Sequence, residues 1–341
     1  MIHPSLSNRW LIIGVVVLGT LGVVLGTLGI EGQKERIYKG QSTTQWAESL
    51  KSKDPLVADH AAKELEGGRE EVVPLLLDIL RKDSNLWGKI ISILKKLGTP
   101  AVPMLIRALQ DESHIVRAAS AVVLPSAGQE AEKAIPSLIK AMDDENAFVR
   151  QQVVLAVGKI GFRGDNSLRA LRKRLQDEDL GVRIAAIWSI GQGSVNAVGA
   201  IPDLKGALED KQLGIRLEAV KALGKLGSDA VPVLAEALSG IDGDVRVNAA
   251  IALGGMGPSA KLGVPSLTKA LDDKERGIRI QAAIALGKIG PEARSAEQRL
   301  REIVSAEGED KDLIKAAKEA LRAIILEAHE TGTITDDYLG S

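Results

Sequence analysis

From Asp54 onward the chain repeats itself with a period of about thirty residues, and this constrains the fold more than any other feature. Each clear unit opens at an aspartate and runs into a Val-Arg or Ile-Arg pair. Asp111 leads to HIVRAASAVVL, Asp144 to AFVRQQVVLAVGKIG, Asp177 to LGVRIAAIWSIGQG, Asp210 to LGIRLEAVKALGKLG, Asp242 to GDVRVNAAIALGGMG and Asp273 to RGIRIQAAIALGKIG. The arginines are Arg117, Arg150, Arg183, Arg216, Arg246 and Arg279, with gaps of 33, 33, 33, 30 and 33 residues. Weaker units start at Asp54 and Asp83, and Leu313-Ile314-Lys315 carries a last one in the same frame. A pattern repeated this often is one supersecondary unit copied along the chain.

That unit reads as a helical hairpin. Ile215, Ala219, Leu223 and Leu226 mark the apolar face of a first helix. A glycine follows (Gly98, Gly161, Gly227 or Gly290), placed where a left-handed residue ends a helix. Pro74, Pro103, Pro136, Pro202, Pro232 and Pro265 then sit in the first turn of a second helix, where a missing N–H costs nothing. The second helix reads P-x-L-x-x-A-L, as in Pro103–Leu109. A hairpin this small cannot bury its own apolar face, so it must stack on its neighbours. Aromatics make up only 2% of the chain, which leaves an aliphatic core suited to closely spaced helices. The expected fold is an all-α solenoid.

The recurring D-x-x-x-x-[VI]-R-x-x-A-x-x-A-L-G-x-[IL]-G resembles HEAT repeats, specifically the short bacterial kind found in phycobilisome-lyase-like proteins. The resemblance covers roughly Asp54 to Glu327 and implies a HEAT-type α-solenoid; it is specific as to fold and not as to function. The expected organisation is a tail at 1–9, a transmembrane helix at 10–30, a linker at 31–41, a capping helix at 42–53, repeats at 54–308, a capping helix at 309–329 and a disordered tail at 330–341. In the first cap Ser42 or Thr43 serves as N-cap, and Trp46 and Leu50 cover the open end of the first repeat. In the last, Leu313, Ala317, Leu321 and Ile324 share a face. Tyr38-Lys39-Gly40 ahead of a Trp-bearing helix and a repeat resembles membrane-anchored HEAT proteins of bacteria.

Leu11 to Ile30 is a run of apolar residues, glycines and threonines without a charge, long enough at 1.5 Å per residue to cross roughly 30 Å of hydrocarbon. Trp10 stands at its start, where an indole prefers the interface. A cleaved signal peptide, releasing a secreted repeat protein, is the rival reading; the run is longer than a usual signal core and no A-x-A-like site follows. Arg9 precedes the span, whereas Lys34, Arg36 and Lys39 follow it, so the Lys/Arg count places the repeats on the cytoplasmic side and the usual signal-anchor topology places them outside. Gly19, Gly22, Gly26 and Gly29 fall on one helix face, and Gly22-x-x-x-Gly26 has the small-xxx-small spacing that lets two backbones pair into a homodimer.

The remaining candidates are polar. Net charge is −1, so no global field points to nucleic acid, and there are no cysteines to form disulfides, thiolate metal sites or nucleophiles. His3, His60, His114 and His329 lack the H-E-x-x-H spacing, and no phosphate-binding loop or nucleophile elbow occurs. Among HEAT enzymes, deoxyhypusine hydroxylase holds two irons with paired His-Glu motifs; this chain has one such pair, His329-Glu330, outside the repeats. Bilin lyases, which act as paired subunits, are the other HEAT enzymes of note; nothing local marks their activity, and an enzyme or enzyme subunit of that type is the alternative reading. The expectation is therefore a scaffold with a protein partner, no cofactor and no catalytic or metal residues.

Asp111, Arg117, Asp144, Arg150, Asp177, Arg183, Asp210, Arg216, Arg246 and Arg279 recur in step with the repeats, which suits a stacking ladder; catalysis needs one special location. The second helices of a HEAT stack line its concave side. On them the fourth residue after the proline points outward and reads Asp78, Arg107, Lys140, Lys173, Gly206, Glu236 and Lys269. Arg107, Lys140 and Lys173, with Arg172 and Lys205 beside them, form a candidate basic stripe for an acidic partner segment. The competing reading is ordinary solvated Lys and Arg, favoured by the interruption at Gly206 and Glu236.

Overall fold

The computed structural model of the chain describes residues 35–162 and 164–330. The apolar run Leu11–Ile30, its glycines Gly19, Gly22, Gly26 and Gly29, and the tail after Glu330 lie outside the described residues. No helix among the described residues is long and apolar enough to cross a membrane.

A hairpin of two-residue strands opens the described chain: β1 (Ile37–Tyr38) pairs antiparallel with β2 (Gln41–Ser42). The linker expected over 31–41 carries this hairpin in its described part. Lys39 and Gly40 both have positive φ, 48° and 76°, which is what a two-residue turn of the type I′ kind demands. The hairpin leads directly into α1 (Thr43–Lys51). Ser42 caps it with a capping box: its hydroxyl accepts from Gln45 N–H while the Gln45 side chain accepts from Ser42 N–H. Trp46 and Leu50 are buried, and the Trp46 indole N–H donates to the Tyr38 carbonyl at 3.0 Å.

Eight helical hairpins follow among the described residues. Their first helices are α2 (Pro55–Glu66), α4 (Trp87–Leu97), α6 (His114–Val123), α8 (Ala147–Ile160), α10 (Leu180–Gln192), α12 (Leu213–Lys225), α14 (Gly243–Gly255) and α16 (Arg276–Ile289). Their second helices are α3 (Val73–Lys82), α5 (Val102–Ala108), α7 (Ile135–Ala141), α9 (Asp165–Arg174), α11 (Ile201–Ala207), α13 (Val231–Ala237), α15 (Val264–Ala270) and α17 (Glu297–Ser305). A last helix, α18 (Lys311–Glu330), packs on α16 and α17 and closes the stack. All six prolines named above stand in the first turn of a second helix.

The glycines after the first helices differ from expectation in one respect. Gly98, Gly161, Gly227 and Gly290 have φ of 66°, 82°, 84° and 70°, but their ψ values of −140°, 150°, −166° and −140° are extended. This region is essentially closed to any side chain, so the chain reverses through a sharper corner than a left-handed helix cap. A turn or more of 3-10 helix then leads to each proline. It is three residues long at Thr99–Ala101 and Ser228–Ala230, and seven at Gly257–Gly263, which accounts for the one gap of 30 residues.

One continuous aliphatic core runs through the stack from Trp46 to Ile325. Each fully buried Leu, Ile or Val contributes about 1.5–3 kcal/mol. Successive first helices touch almost backbone to backbone. A Cβ on Gly158 would lie 2.8 Å from the Ser189 Cα, and one on Gly254 would lie 2.9 Å from the Ala285 Cα. The first glycine of each A-L-G element thus fixes helix spacing, a role distinct from the corner glycine three residues later.

Candidate functional site

The turn from one repeat into the next is built around its aspartate. Asp111, Asp144, Asp177, Asp210 and Asp273 each accept the backbone N–H two residues on, at 2.7–3.0 Å. The arginine six residues later closes the same turn from inside: Arg150 Nη1 donates to the Asp144 and Glu145 carbonyls at 3.0 and 3.2 Å. Its other nitrogens reach the next repeat, with Nε and Nη2 on the two oxygens of Asp177 at 2.9 and 2.8 Å. Arg117 grips Asp144, and Arg246 grips Asp273, in the same two-pronged way. Planar, paired donors on a carboxylate are the strongest of ordinary hydrogen bonds.

Electrostatics follow geometry. The Asp177 contact outweighs burial and raises the Arg150 guanidinium above its ordinary value. Burial pushes the Asp177 carboxyl up, but Arg150, the Asp179 amide and Arg174 together hold it below the usual carboxylate range. These groups are saturated with protein partners and present nothing to a substrate.

The ladder is not uniform. Arg183 donates to the Asp177 and Glu178 carbonyls, yet among the described residues no carboxylate pairs with it, and the Asp210 carboxylate receives only the Gln212 amide. Arg216 holds Asp242 through Nη2 alone. Among the described residues Arg279 bonds only the carbonyls of its own turn, and Asp310 pairs instead with Arg276 at 2.6 Å. In the early repeats Lys89 occupies the arginine's place and bonds the Leu50 carbonyl, while Arg81, from the end of α3, serves Asp111 at 2.6 Å.

On the second helices, Arg107, Lys140, Arg172, Lys173 and Lys205 are all exposed. They do not form the basic stripe read from the sequence, because stacking brings a carboxylate to three of them. Arg172 pairs with Asp203 one repeat on, Lys205 with Glu236 one repeat on, and Lys173 with Asp143 one repeat back, each at 2.6 Å. The Lys173 ammonium holds the Asp143 carboxyl below its usual range against the opposing effect of burial. Arg107 and Lys140 make no ion pair among the described residues. The face carries ion pairs of alternating charge, with Arg107, Lys140, Arg169 and Lys269 among the exposed cations in no ion pair among the described residues.

Hollows interrupt this face among the described residues, two of them large. One, of about 610 Å³, lies between α7 and α9 and is bordered by Ile135, Ile139, Asn166, Arg169 and Lys173. The other, of about 730 Å³, lies between α11 and α13 at the turn that contains Ile241, a residue fully exposed to solvent. Among the described residues no group of His, Asp or Glu side chains is arranged to hold a metal ion.

Comparison with known proteins bears on the repeats. The family model described as HEAT repeats matches residues 83–158, 102–191, 168–246 and 231–322, together more than half of the 341 residues. No curated protein matches the sequence. Among solved structures, an engineered protein from a structural genomics consortium is 21% identical, covering 86% of this chain and 95% of its own with a TM-score of 0.45. A second engineered protein is 22% identical, covering 66% and 96% at 0.37. Human deoxyhypusine hydroxylase in complex with glycerol is 24% identical, covering 72% and 95% at 0.32.

Proposed function

We propose, from the premise that this chain belongs to the HEAT-repeat family, that it is a membrane-tethered scaffold for protein–protein interaction. The observation that carries the reading is the division of labour among its polar side chains. The recurrent Asp and Arg residues are consumed in building turns, as with Arg183 and Asp210, and in joining repeats, as with Arg150 and Asp177, and do not converge on a single reacting point among the described residues. What remains exposed is the long face of the second helices, with charges of both signs and two hollows, the kind of extended surface a repeat stack offers to a partner. The uncharged run Leu11–Ile30 supports the tether, which would confine that surface to a bilayer. No catalytic residue and no cofactor is assigned.

Proximity labelling in the native cell tests this, comparing the full chain with one lacking residues 1–30. The full chain is expected to label a defined set of membrane-associated proteins that the shortened chain loses. Reversal of Arg107 and Lys140 to Glu asks whether the free cations contribute. Lys173 is a poorer choice, because its reversal also sets a carboxylate against Asp143. An identical partner set from full and shortened chains would remove the tethering half of the proposal, and purified protein that carries a bound pigment or metal would remove the scaffold half.

A further inference from the structure

Large apolar side chains left open to solvent gather on one edge of the array. Among the described residues nine are well exposed. Leu56, Val57, Phe148, Leu180 and Leu213 stand in the first turns of α2, α8, α10 and α12, and Ile241 stands in the turn that leads into α14. All six belong to the edge on which each repeat passes into the next; Ile251 and Leu262 lie elsewhere. The core does not require them, because it takes the third residue of these helices, as at Val149 and Val182, both fully buried. The two residues ahead of that position are not buried, and their chemistry changes along the array. His114-Ile115, Ala147-Phe148, Leu180-Gly181 and Leu213-Gly214 each supply one large apolar side chain, whereas Gly243-Asp244 and Arg276-Gly277 supply none. At the other end, the half-buried Trp87 at the head of α4 reaches past α6 to the Phe148 ring, with centroids 5.8 Å apart. An apolar row rimmed by polar turns marks a docking surface for a protein or a membrane.

The course of the chain selects between these. The uncharged run Leu11–Ile30 ends so close to Glu35 that at most about 18 Å of backbone separates Ile30 from it. Glu35 is fixed to the same edge. Its carboxylate accepts from Lys82 at 2.9 Å and from Thr44 at the start of α1, and the neighbouring Arg36 reaches Asp78, one turn back along α3, at 2.6 Å. Lys82 is the last residue of α3, immediately before the turn into α4. Leu56 begins the apolar row beside this point, since Lys51, at the end of α1, pairs at 2.7 Å with Asp83 in that turn. A run held in a bilayer therefore delivers this edge, and no other, to the bilayer surface.

Charge selects the kind of surface. Near the entry point Lys82 pairs with Glu35 and Lys51 with Asp83, so little cationic charge is left there beyond Lys53 and Lys89. In the following turns Glu112, Glu145 and Glu178 are exposed beside Ile115, Phe148 and Leu180. Anionic lipid meets repulsion at these carboxylates, whereas zwitterionic headgroups bring ammonium groups that suit them. We propose that this edge of the array lies against the zwitterionic surface of the bilayer that holds Leu11–Ile30, with Leu56, Phe148, Leu180 and Leu213 in the headgroup layer and Trp87 at the interface that an indole prefers. The proposal rests on the membrane-tethered reading. It turns a flexible tether into a fixed orientation and leaves the exposed face of the second helices open to partners.

The chain has no cysteine, so a single introduced one carries a spin label at a chosen place. Phe148→Cys and Leu180→Cys probe the edge, and Ile251→Cys and Leu262→Cys serve as exposed apolar positions away from it, each in the full chain reconstituted into phosphatidylcholine vesicles. Oxygen enters lipid and a nickel chelate stays in water, so relaxation of the label by each reports its surroundings. The oxygen-to-nickel ratio is expected to be about threefold or more higher at the two edge positions than at the other two. It is expected to fall at the edge when a third of the lipid is phosphatidylglycerol. Phe148→Glu combined with Leu180→Glu, read from a label on Leu213→Cys, is expected to bring the ratio down to that of the Ile251→Cys label. Equal ratios at all four positions, a ratio that rises with phosphatidylglycerol, or a Leu213→Cys label indifferent to the two glutamates would overturn the assignment. Edge labels shielded from both reagents would overturn it as well, since protein, such as a second copy, would then cover the row. A chain that fails to float with the vesicles would remove the tether and the docking with it; a floating chain whose edge labels sit in water would remove the docking alone.

Discussion

Asp177 and Asp210 hold the same place in consecutive repeats, and sequence alone gives no reason to rank them; the structure ranks them sharply. Asp177 takes Arg150 on both oxygens and Arg174 at 3.2 Å, with side-chain exposures of 7% for Arg150 and 3% for Asp177. Asp177→Asn retains an oxygen for the Asp179 amide but turns an NH₂ group toward the guanidinium. A hydrogen bond to a charged group is worth about 1.5–3 kcal/mol, and removing one partner of a buried pair costs about 3–5 kcal/mol. Arg150 keeps the Asp144 and Glu145 carbonyls and has Glu178 at 3.2 Å, so the loss should fall near the lower end, about 2–4 kcal/mol. Asp210→Asn keeps its Gln212 amide bond and breaks no carboxylate–arginine bond among the described residues, so it should cost about 0.5 kcal/mol or less. Urea denaturation gives the totals. Hydrogen exchange across α8 and α10 shows where the loss falls, because a repeat stack feels damage locally. Equal losses in the two variants would refute the claim that the ladder's energy lies in the cross-repeat contact and not in the turn.

Three further outcomes follow from the same geometry. Asp177, Asp242, Asp273 and Asp310 have carboxyls held below their ordinary values, Asp310 at about 2 through Arg276. Such groups add stability that is complete above an unfolded value of about 3.9 and is lost as pH falls through the folded ones, so melting temperature should drop steeply below about pH 4; a melting temperature constant down to about pH 2 would contradict this. Gly158→Ala should lose about 1–2 kcal/mol, because the clash with the Ser189 backbone exceeds the gain in helix propensity, whereas Gly206→Ala, with open space around it, should gain about 0.5–1 kcal/mol in the same denaturation assay. Replacing Gly22 and Gly26 with Leu should abolish crosslinking between copies in membranes if the glycine face pairs, and unchanged crosslinking would remove that pairing.

Legibility in the sequence tracked the range of the interaction. The prolines at the second helices, the corner glycines and the Ser42 cap obey rules that act within a few residues, so their places could be read directly. The repeat period made the stacked fold readable, since identical apolar faces have only each other to bury against. The partners of Lys173 and Lys205 lie 30 and 31 residues away, and only stacking decides that a carboxylate meets each of them. The β1–β2 hairpin was signalled by Lys39-Gly40 but rests on strands too short to show alternation. Gly240 was visible as well: it stands six residues before Arg246, where the other units have aspartate, and the meaning of that slip emerges only beside Arg216, which reaches Asp242 through Nη2 alone and whose Nε is buried without a hydrogen-bond partner among the described residues.

Apolar faces rich in Ala and Leu attract without direction, and a neighbouring helix can slide along them at small cost. A two-pronged Arg–Asp contact is lost on such a slide, so the ladder fixes the register that the core leaves loose; registry is the best-attested use of buried ion pairs. Among the described residues the ladder is complete at Arg117–Asp144, Arg150–Asp177 and Arg246–Asp273, missing between Arg183 and Asp210 and again after Arg279, and reduced to one prong at Arg216–Asp242. The Arg183–Asp210 and Arg216–Asp242 steps are adjacent, and Asp210 and Arg216 both border the hollow of about 730 Å³. Between them the repeats are joined by apolar contacts, by the exposed Lys205–Glu236 pair and by the close approach of Gly191 to Ala222 and of Gly224 to Ala252. The stretch from α11 to α13 should therefore be the part of the array that opens most readily, in keeping with the low-stability regions from which binding surfaces are drawn. Amide hydrogen exchange in the full chain should show α12 losing protection before α8 and α16, and Gly240→Asp should slow that loss by restoring the second prong. Uniform protection along the first helices, or an α12 indifferent to Gly240→Asp, would mean that the apolar seam alone sets the register and that the gap in the ladder has no mechanical consequence.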